Sequence, residues 1–167
     1  MIIVSCNEKT STDTNKKETA TDTSKIEYAY TVDHDWEWGS RENTQMVLSS
    51  LKAFEKGNVG EAVKDFGDTV TLQFDNFEAK LSKDSLLAFF KKERGGIKNM
   101  TVKMDDYESV KSKDGKYEYV SLWYKQISED LKGKTDSIEC MDDLGIKNGK
   151  IILLNEKIRH YAVKKTK

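Results

Sequence analysis

The chain has 167 residues, enough for one domain with a real core and a tail. Charged residues make up 34% of it, but the formal net charge is −1, so no overall field favours nucleic acid, and we expect no nucleic-acid partner. The chain contains no proline, which excludes proline-rich ligand segments, and no apolar run approaches the ~20 residues of a membrane-spanning helix.

The first 25 residues divide into an apolar stub and a polar tether. Residues 1–6 end in a small residue and Cys6, and residues 7–25 are almost entirely Ser, Thr, Asp, Asn, Glu and Lys, a composition that predicts disorder. This order resembles the end of a bacterial lipoprotein signal peptide, whose cysteine bears the lipid. Only Ile2, Ile3 and Val4 stand where a signal peptide has about 7–15 apolar residues, so a free N-terminus with an isolated cysteine is the alternative. The resemblance implies a lipid-anchored protein of the bacterial cell envelope, periplasmic or surface-exposed.

Residues 26–39 are aromatic and extended in character. Their large apolar side chains fall at even positions, which places them on one face of an extended segment: Tyr28, Tyr30, Val32, Trp36 and Trp38. We expect this segment to pack on the domain that follows, at residues 40–163, with 164–167 as a basic tail.

Two helices are predicted next. Ser40 has the position of an N-cap, and the apolar stripe of the first helix ends before Gly57. Asn58 and Glu61 have the spacing of a capping box for a second, short helix, which Gly67 ends.

A hairpin and a third helix follow. Residues 69–74 alternate as a strand, Asp75-Asn76 forms a turn, and residues 77–81 return. Ser82 then has the position of a helix N-cap, and Gly95-Gly96 ends the helix.

The remainder alternates as long strands. Three dipeptides have the composition of tight turns between them: Asp114-Gly115, Lys132-Gly133 and Asn148-Gly149. The last strand runs from 150 to 163, and its pattern places Ile152, Leu154 and Ile158 on one face. Apolar residues on both faces of these strands predict that both faces are covered, one of them by the helices.

Two parts of the chain resemble nuclear transport factor 2-like domains. One is residues 47–94, where a helix pair is followed by a hairpin and a third helix. The other is residues 148–161, a closing strand after a glycine-lysine turn. SnoaL-like cyclases and ketosteroid isomerase share that fold. With Cys6, the chain is also similar to lipoproteins of this family from Bacteroidota-type bacteria. The resemblance implies an α+β fold, a nuclear transport factor 2-like cone with three N-terminal helices packed on a curved, mostly antiparallel sheet of about five to six strands. We also expect a homodimer, since the second face of the sheet needs the aromatic segment at 26–38, a partner subunit, or both to cover it.

The same resemblance suggests a catalytic carboxylate. Asp75 ends the first strand, where ketosteroid isomerase and several cyclases carry a general base. An ordinary hairpin turn is the competing interpretation, because Asn76 follows and the first helix lacks the tyrosine of the isomerase oxyanion hole.

Glu156 and His160 form a second candidate pair. They lie four apart in the last strand, on the face predicted to carry Leu154, so an acid and an imidazole would share an apolar wall. They are ~13 Å apart at a rise of about 3.3 Å per residue, too far for a direct hydrogen bond. Glu156 could equally pair with a lysine, and His160 could lie at the end of the strand.

The predicted ligand pocket is formed by Phe90, Tyr124, Cys140, Asp142 and Leu154. Alternation puts Cys140 and Asp142 on one strand face with apolar neighbours, which suits a pocket wall and equally a strand leaving a core. With Cys6 lipidated, Cys140 would be a buried free thiol. The cysteines and the two histidines have no metal-ligand spacing, so we expect neither a metal nor a cofactor.

We therefore expect this protein to bind a small, largely apolar molecule without established catalysis. The alternatives are an enzyme that abstracts a proton next to a carbonyl, and an interaction module that dimerises through a sheet face carrying Tyr117, Tyr119 and Trp123.

Overall fold

A single sheet organises the part of the chain that this computed structural model describes, residues 35–75 and 77–161. Its strands, in chain order, are β1 Trp36–Trp38, β2 Phe66–Phe74, β3 Phe77–Ser82, β4 Ile97–Ser112, β5 Glu118–Asp130, β6 Thr135–Lys147 and β7 Lys150–His160. The predictions for Cys6, the polar tether, residues 26–34 and the basic tail lie outside the described residues.

Within the described residues the sheet has seven strands, in the order β1-β4-β5-β6-β7-β2-β3. Neighbouring strands are antiparallel except β2 and β7, which run parallel. The prediction of five to six strands omitted β1, which pairs with the end of β4, where Trp36 lies opposite Ser112.

Three helices lie within the described ranges: α1 Arg41–Glu55, α2 Val59–Ala62 and α3 Lys83–Gly95. Two predicted N-caps are confirmed. The Ser40 hydroxyl accepts the backbone N–H of Asn43 at 3.1 Å, and the Ser82 hydroxyl accepts that of Ser85 at 3.2 Å. Each bond satisfies one of the donors that a helix start leaves without a partner.

The second helix is shorter than predicted. Asn58 makes no side-chain capping bond, and β2 begins at Phe66, so Gly67 is a strand residue and not a helix end. Phe66 is almost fully buried and pairs with Ile151 of β7, which shows that tertiary packing decided the conformation here.

The turn between β6 and β7 is formed as its sequence predicts. Asn148 and Gly149 have φ of 52° and 66°, the left-handed values that a two-residue hairpin turn of this type needs at both central positions.

A bulge beyond that turn changes which side chains of β7 point inward. Ile146 pairs with Ile151, but Gly145 pairs with Leu153, so Ile152 is an extra residue. Ile151 is buried and Ile152 exposed, so the prediction that Ile152 shares a face with Leu154 is wrong.

The core lies between the helices and the inner face of the sheet. In β5 the inward positions Val120, Leu122 and Tyr124 are all buried, as their alternation predicts, and they pack in one cluster with Val47 of α1 and Leu86 of α3. Among residues 35–75 and 77–161, no helix has the length and apolar character needed to cross a bilayer.

Arg94 fixes the end of α3 against the end of α1. Its guanidinium donates hydrogen bonds to the carbonyl oxygens of Phe54 at 3.0 Å, Glu55 at 3.1 Å and Ile97 at 2.5 Å. These carbonyls include helix-terminal acceptors that lack partners within the helix. Arg94 thus holds α1, α3 and the start of β4 together, and all three contribute to the cavity described next.

Candidate functional site

A cavity of about 350 Å³ lies between the helices and the inner face of β4–β7. That volume is at the lower end of the ~300–1,000 Å³ typical of small-molecule sites. Most of the lining side chains are apolar. The polar exceptions among the described lining residues are Ser50, Glu93, Tyr124, Gln126, Asp142 and Glu156.

Phenylalanine rings from α1, β2 and α3 form the helix side of this cavity. The ring centroids of Phe54 and Phe90 are 5.5 Å apart, and those of Phe66 and Phe90 are 6.1 Å apart, both in edge-to-face geometry. Phe74 stacks on Phe89 at 6.1 Å. Contacts of this kind hold the aromatic wall in one arrangement.

The sheet side carries a cluster of three polar residues, Tyr124 of β5, Asp142 of β6 and Glu156 of β7, which we call the acid cluster. Asp142 and Glu156 are directly opposite each other in the β6–β7 register, and both line the cavity. The Tyr124 hydroxyl donates a hydrogen bond to Asp142 Oδ2 at 2.9 Å. The three strands converge here because short hairpin turns bring β5, β6 and β7 together as sheet neighbours.

Asp142 is the most deeply placed carboxyl of the cluster, with a residue exposure of 5%. Its Oδ1 is buried, and no described residue hydrogen-bonds to it. Burial, followed by the charge of Glu156, raises the pKa of Asp142 well above its usual range, against the lowering effect of the Tyr124 hydrogen bond. The folded protein therefore disfavours the ionised form of Asp142.

Glu156 differs from Asp142 in its extent of burial. Burial first and the nearby charge of Asp75 second raise the pKa of Glu156 to about 7, and the Tyr124 hydroxyl opposes this rise. The pKa values of both carboxyls are thus raised, and that of Glu156 lies near neutral pH.

Tyr124 and Cys140 are both in their neutral forms. Burial and the charge of Asp142 raise the pKa of Tyr124 well above its usual value, so its hydroxyl remains a donor. Burial, then the charges of Glu156 and Asp142, raises the pKa of Cys140 to about 12. A thiol in that state is not a nucleophile.

The structure separates the predicted site residues into two groups. Phe90, Tyr124, Asp142, Leu154 and Glu156 line the cavity.

The second group lies outside the cavity wall. Cys140 is buried in the core cluster and does not line the cavity. Asp75 is exposed in the turn after β2, where it acts on the cavity only through its charge on Glu156. His160 is exposed because it is the last residue of β7.

Sequence reasoning missed three polar lining residues, Ser50, Glu93 and Gln126, and the direct contact of Tyr124 with Asp142. The register of β5 and β6, set by the turn between them, could have predicted that contact. The Lys132-Gly133 turn sets Tyr124 opposite Cys140 and Leu122 opposite Asp142, so Tyr124 and Asp142 are diagonal neighbours on one face.

The charges of the cavity are of one sign. Among the described lining residues, carboxyls come from Glu93, Asp142 and Glu156, and none is Lys, Arg or His. No group of three or more His, Cys, Asp or Glu side chains within residues 35–75 and 77–161 is arranged to hold a metal ion. Chemically, the site offers an apolar volume, a buried carboxyl with a raised pKa, and a second carboxyl that exchanges a proton near pH 7.

Comparison with solved structures identifies the fold. AusH from Aspergillus nidulans is 17% identical over 74% of this chain and 88% of its own, with a TM-score of 0.58. An LEH-like epoxide hydrolase of M. tuberculosis is 13% identical over 71% of this chain and 83% of its own, with a TM-score of 0.56. An NTF2-like protein of unknown function from Burkholderia pseudomallei is 13% identical over 73% of this chain and 92% of its own, with a TM-score of 0.58.

No family model matches the chain, and no curated protein matches its sequence. Identities this low establish the fold alone. The described domain has the nuclear transport factor 2-like fold that residues 47–94 and 148–161 predict. This scaffold carries enzymes and proteins of unknown function, so the activity has to be inferred from the cavity itself.

Proposed function

We propose that this protein binds a small, largely apolar molecule in the cavity between the helices and the inner face of the sheet. The supporting observation is the cavity itself, about 350 Å³ lined mostly by aromatic and aliphatic side chains, with Tyr124, Asp142 and Glu156 close together on the sheet side. A preformed apolar volume with convergent polar groups is the usual character of a small-molecule site.

A neutral, environment-sensitive dye such as Nile red tests binding without relying on charge. We expect its fluorescence to rise on titration with the full chain. Ile158→Trp should weaken that binding about tenfold or more, because Ile158 lines the cavity and a larger ring occupies part of the volume.

Ile152→Trp is the matched control, since Ile152 lies in the same strand but is exposed. It should leave the dye affinity unchanged. Equal affinity in both variants would show that the dye binds elsewhere and would contradict the proposal.

A second candidate function is proton abstraction next to a carbonyl, with Glu156 as the base. The observation that favours it is the position of Glu156 on the cavity wall, with a pKa raised to about 7. General bases are most effective when their pKa is close to the working pH. The neighbouring Asp142, whose pKa is also raised, supplies a donor for a developing oxyanion when it carries a proton.

Deuterium exchange at the α-carbon of 2-indanone, followed by NMR, tests this candidate directly. The rate should rise with pH through about 7 as Glu156 ionises, and Glu156→Gln should lower it about 10²–10⁴-fold. Asp143→Asn is the control, because Asp143 does not line the cavity and pairs with Ser121 and Lys157. Exchange equal to that of buffer alone would reject catalysis while leaving binding intact.

The lipid anchor and the homodimer stay proposals. Cys6→Ala should release the protein from the membrane fraction, and an unchanged distribution would contradict the anchor. Light scattering of the full chain should give twice the monomer mass of 19.1 kDa, and a strict monomer would contradict the dimer.

A further inference from the structure

Acidic groups predominate around Glu156. The titratable groups near it are Asp75 after β2, Tyr124 of β5, and Cys140 and Asp142 of β6, and the charges of Asp143 and Lys157 also act on Asp142. Glu93 of α3 lines the same cavity but is exposed. Lys157 follows Glu156 in β7, but its ammonium pairs with Asp143 at 3.2 Å, and neither residue lines the cavity.

Asp142 supplies an independent sign that this wall receives a ligand group. Its side chain is more than nine-tenths buried, it lines the cavity, and its Oδ1 has no hydrogen-bond partner among the described residues. A buried polar oxygen without a partner is unfavourable, and a ligand donor at this position would remove that cost.

The opposite wall suits a cation as well as an apolar group. The faces and edges of Phe54, Phe74, Phe89 and Phe90 line the same volume. Aromatic faces attract ammonium groups, more strongly where water is excluded.

We propose that the ligand is an organic amine, with an apolar body against the phenylalanines and one ammonium group between Asp142 and Glu156. This inference rests on the proposed binding function and names its ligand class. Residues directly opposite on antiparallel strands have Cβ atoms about 4.5–5.5 Å apart, so one ammonium with three donors can reach both carboxyls.

Other ligand classes fit this wall less well. A carboxylate or phosphate would meet three carboxyls and, among the described lining residues, no cation. A neutral ligand would leave the charge of ionised Glu156 without a partner. An ammonium instead stabilises the charged form of both acids, relieving the repulsion and the desolvation that the empty site carries.

Calorimetric titration of three naphthalene compounds tests the inference, because they share one apolar body: 1-naphthylmethylamine, 1-naphthalenemethanol and 1-naphthoate. At pH 8 the amine should bind about tenfold or more tightly than the alcohol, and the carboxylate should not bind measurably. Amine affinity should fall about tenfold on acidification to pH 5.5, since Glu156 then holds its proton. At pH 7 amine binding should release protons, which titrations in buffers of different ionisation enthalpy measure.

Asp142→Asn and Glu156→Gln should each reduce the preference for the amine over the alcohol. Glu139→Gln is the matched control and should preserve it, because Glu139 is a β6 carboxyl that does not line the cavity. Proton release by the unmodified protein tests the same point without any variant.

The outcomes separate the two proposals. If the alcohol binds as tightly as the amine, or if amine binding is independent of pH, the proposal of an amine ligand is wrong but the proposed binding function is still supported. Binding of Nile red with no binding of the three naphthalene compounds also contradicts the proposal of an amine ligand. Failure of all four compounds to bind overturns the binding function itself.

Discussion

Asp142 and Glu156 lie directly opposite each other on β6 and β7, and both carboxyls face the same apolar cavity. Two acids on neighbouring strand positions cannot both ionise without cost, so the pKa of each is raised, and that of Glu156 lies at about 7. A pair of this kind weakens the fold and equips the cavity with a donor and a titrating base. The predictions below test its consequences and those of the contacts that hold the cavity together.

Glu156 should make the stability of the protein depend on pH. Its pKa in the folded state, about 7, exceeds its ordinary value of 4.5, so the folded protein binds more protons between these pH values. The free energy of unfolding should therefore fall as pH rises from 4.5 to 7, by on the order of 3 kcal/mol from this group. Urea unfolding of the wild type and Glu156→Gln across this range measures the difference.

Glu139→Gln is the control for that experiment. Its pKa is lowered, chiefly by the Tyr161 hydroxyl, so its contribution is lost only in acid and gives no downward slope toward pH 7. Parallel stability curves for the wild type and Glu156→Gln would contradict the assignment.

Asp142→Asn should stabilise the protein at pH 8. Burial and the charge of Glu156 disfavour the ionised form of Asp142 in the folded protein, whereas water solvates it in the unfolded chain, and an amide of the same shape removes that cost. We expect a gain of about 1–2 kcal/mol in the free energy of unfolding, measured by urea titration, together with altered ligand binding. A loss of stability larger than that of Asp143→Asn would count against a raised pKa of Asp142.

Tyr124→Phe should destabilise the protein by about 1–3 kcal/mol, because Asp142 then loses the donor to Oδ2 as well as lacking one at Oδ1. Thermal unfolding measures the effect. Tyr107→Phe is the comparison, since Tyr107 is 52% exposed in β4 and should change stability little.

A double-mutant cycle isolates the Tyr124–Asp142 contact. In the Asp142→Leu background the Tyr124→Phe substitution should cost less, because no carboxyl remains to be left without a donor. The same cost in both backgrounds would show that the hydroxyl acts on another group.

Arg94→Ala should cost about 2–3 kcal/mol, because three carbonyl oxygens at the end of α1 and the start of β4 lose a charged donor. Arg94→Lys should recover little of this, since one ammonium cannot reproduce the planar fork. Urea unfolding with the exposed Lys92→Ala as control measures the loss. An Arg94→Ala protein as stable as Lys92→Ala would show that the three Arg94 hydrogen bonds do not contribute to stability.

Cys140 should be unreactive in the folded protein. Its pKa of about 12, against an ordinary 9.0, leaves about a thousandfold less thiolate at a given pH. In a Cys6→Ser background, Cys140 should react with an aromatic disulfide reagent only after unfolding, as absorbance of the released thiolate reports. Rapid labelling under native conditions would contradict its burial.

Part of this fold follows from local signals that act over a few residues. Ser40 and Ser82 cap their helices because a serine oxygen satisfies nearby backbone donors, and Asn148-Gly149 turns the chain because both residues tolerate positive φ. Alternation in β5 correctly placed Tyr124 inward, since a strand without a bulge keeps its period of two.

Local signals failed where pairing overrides them. Phe66 and Gly67 joined β2 because β7 offers Phe66 a buried strand partner, although the preceding residues suggested a helix. The bulge at Ile152 places the Ile152 side chain on a different face from Leu154, and no residue type at this point of the sequence predicts a bulge.

The sequence alone determined the order of helices and turns, the α+β class, and the inward direction of Tyr124, Cys140 and Asp142 within their strands, because caps, turns and alternation act locally. Only the tertiary structure decided which of these side chains meet in a cavity. Burial and the spacing between Asp142 and Glu156 depend on strand register and on the helices that cover the sheet, and those two factors set the protonation of the pair.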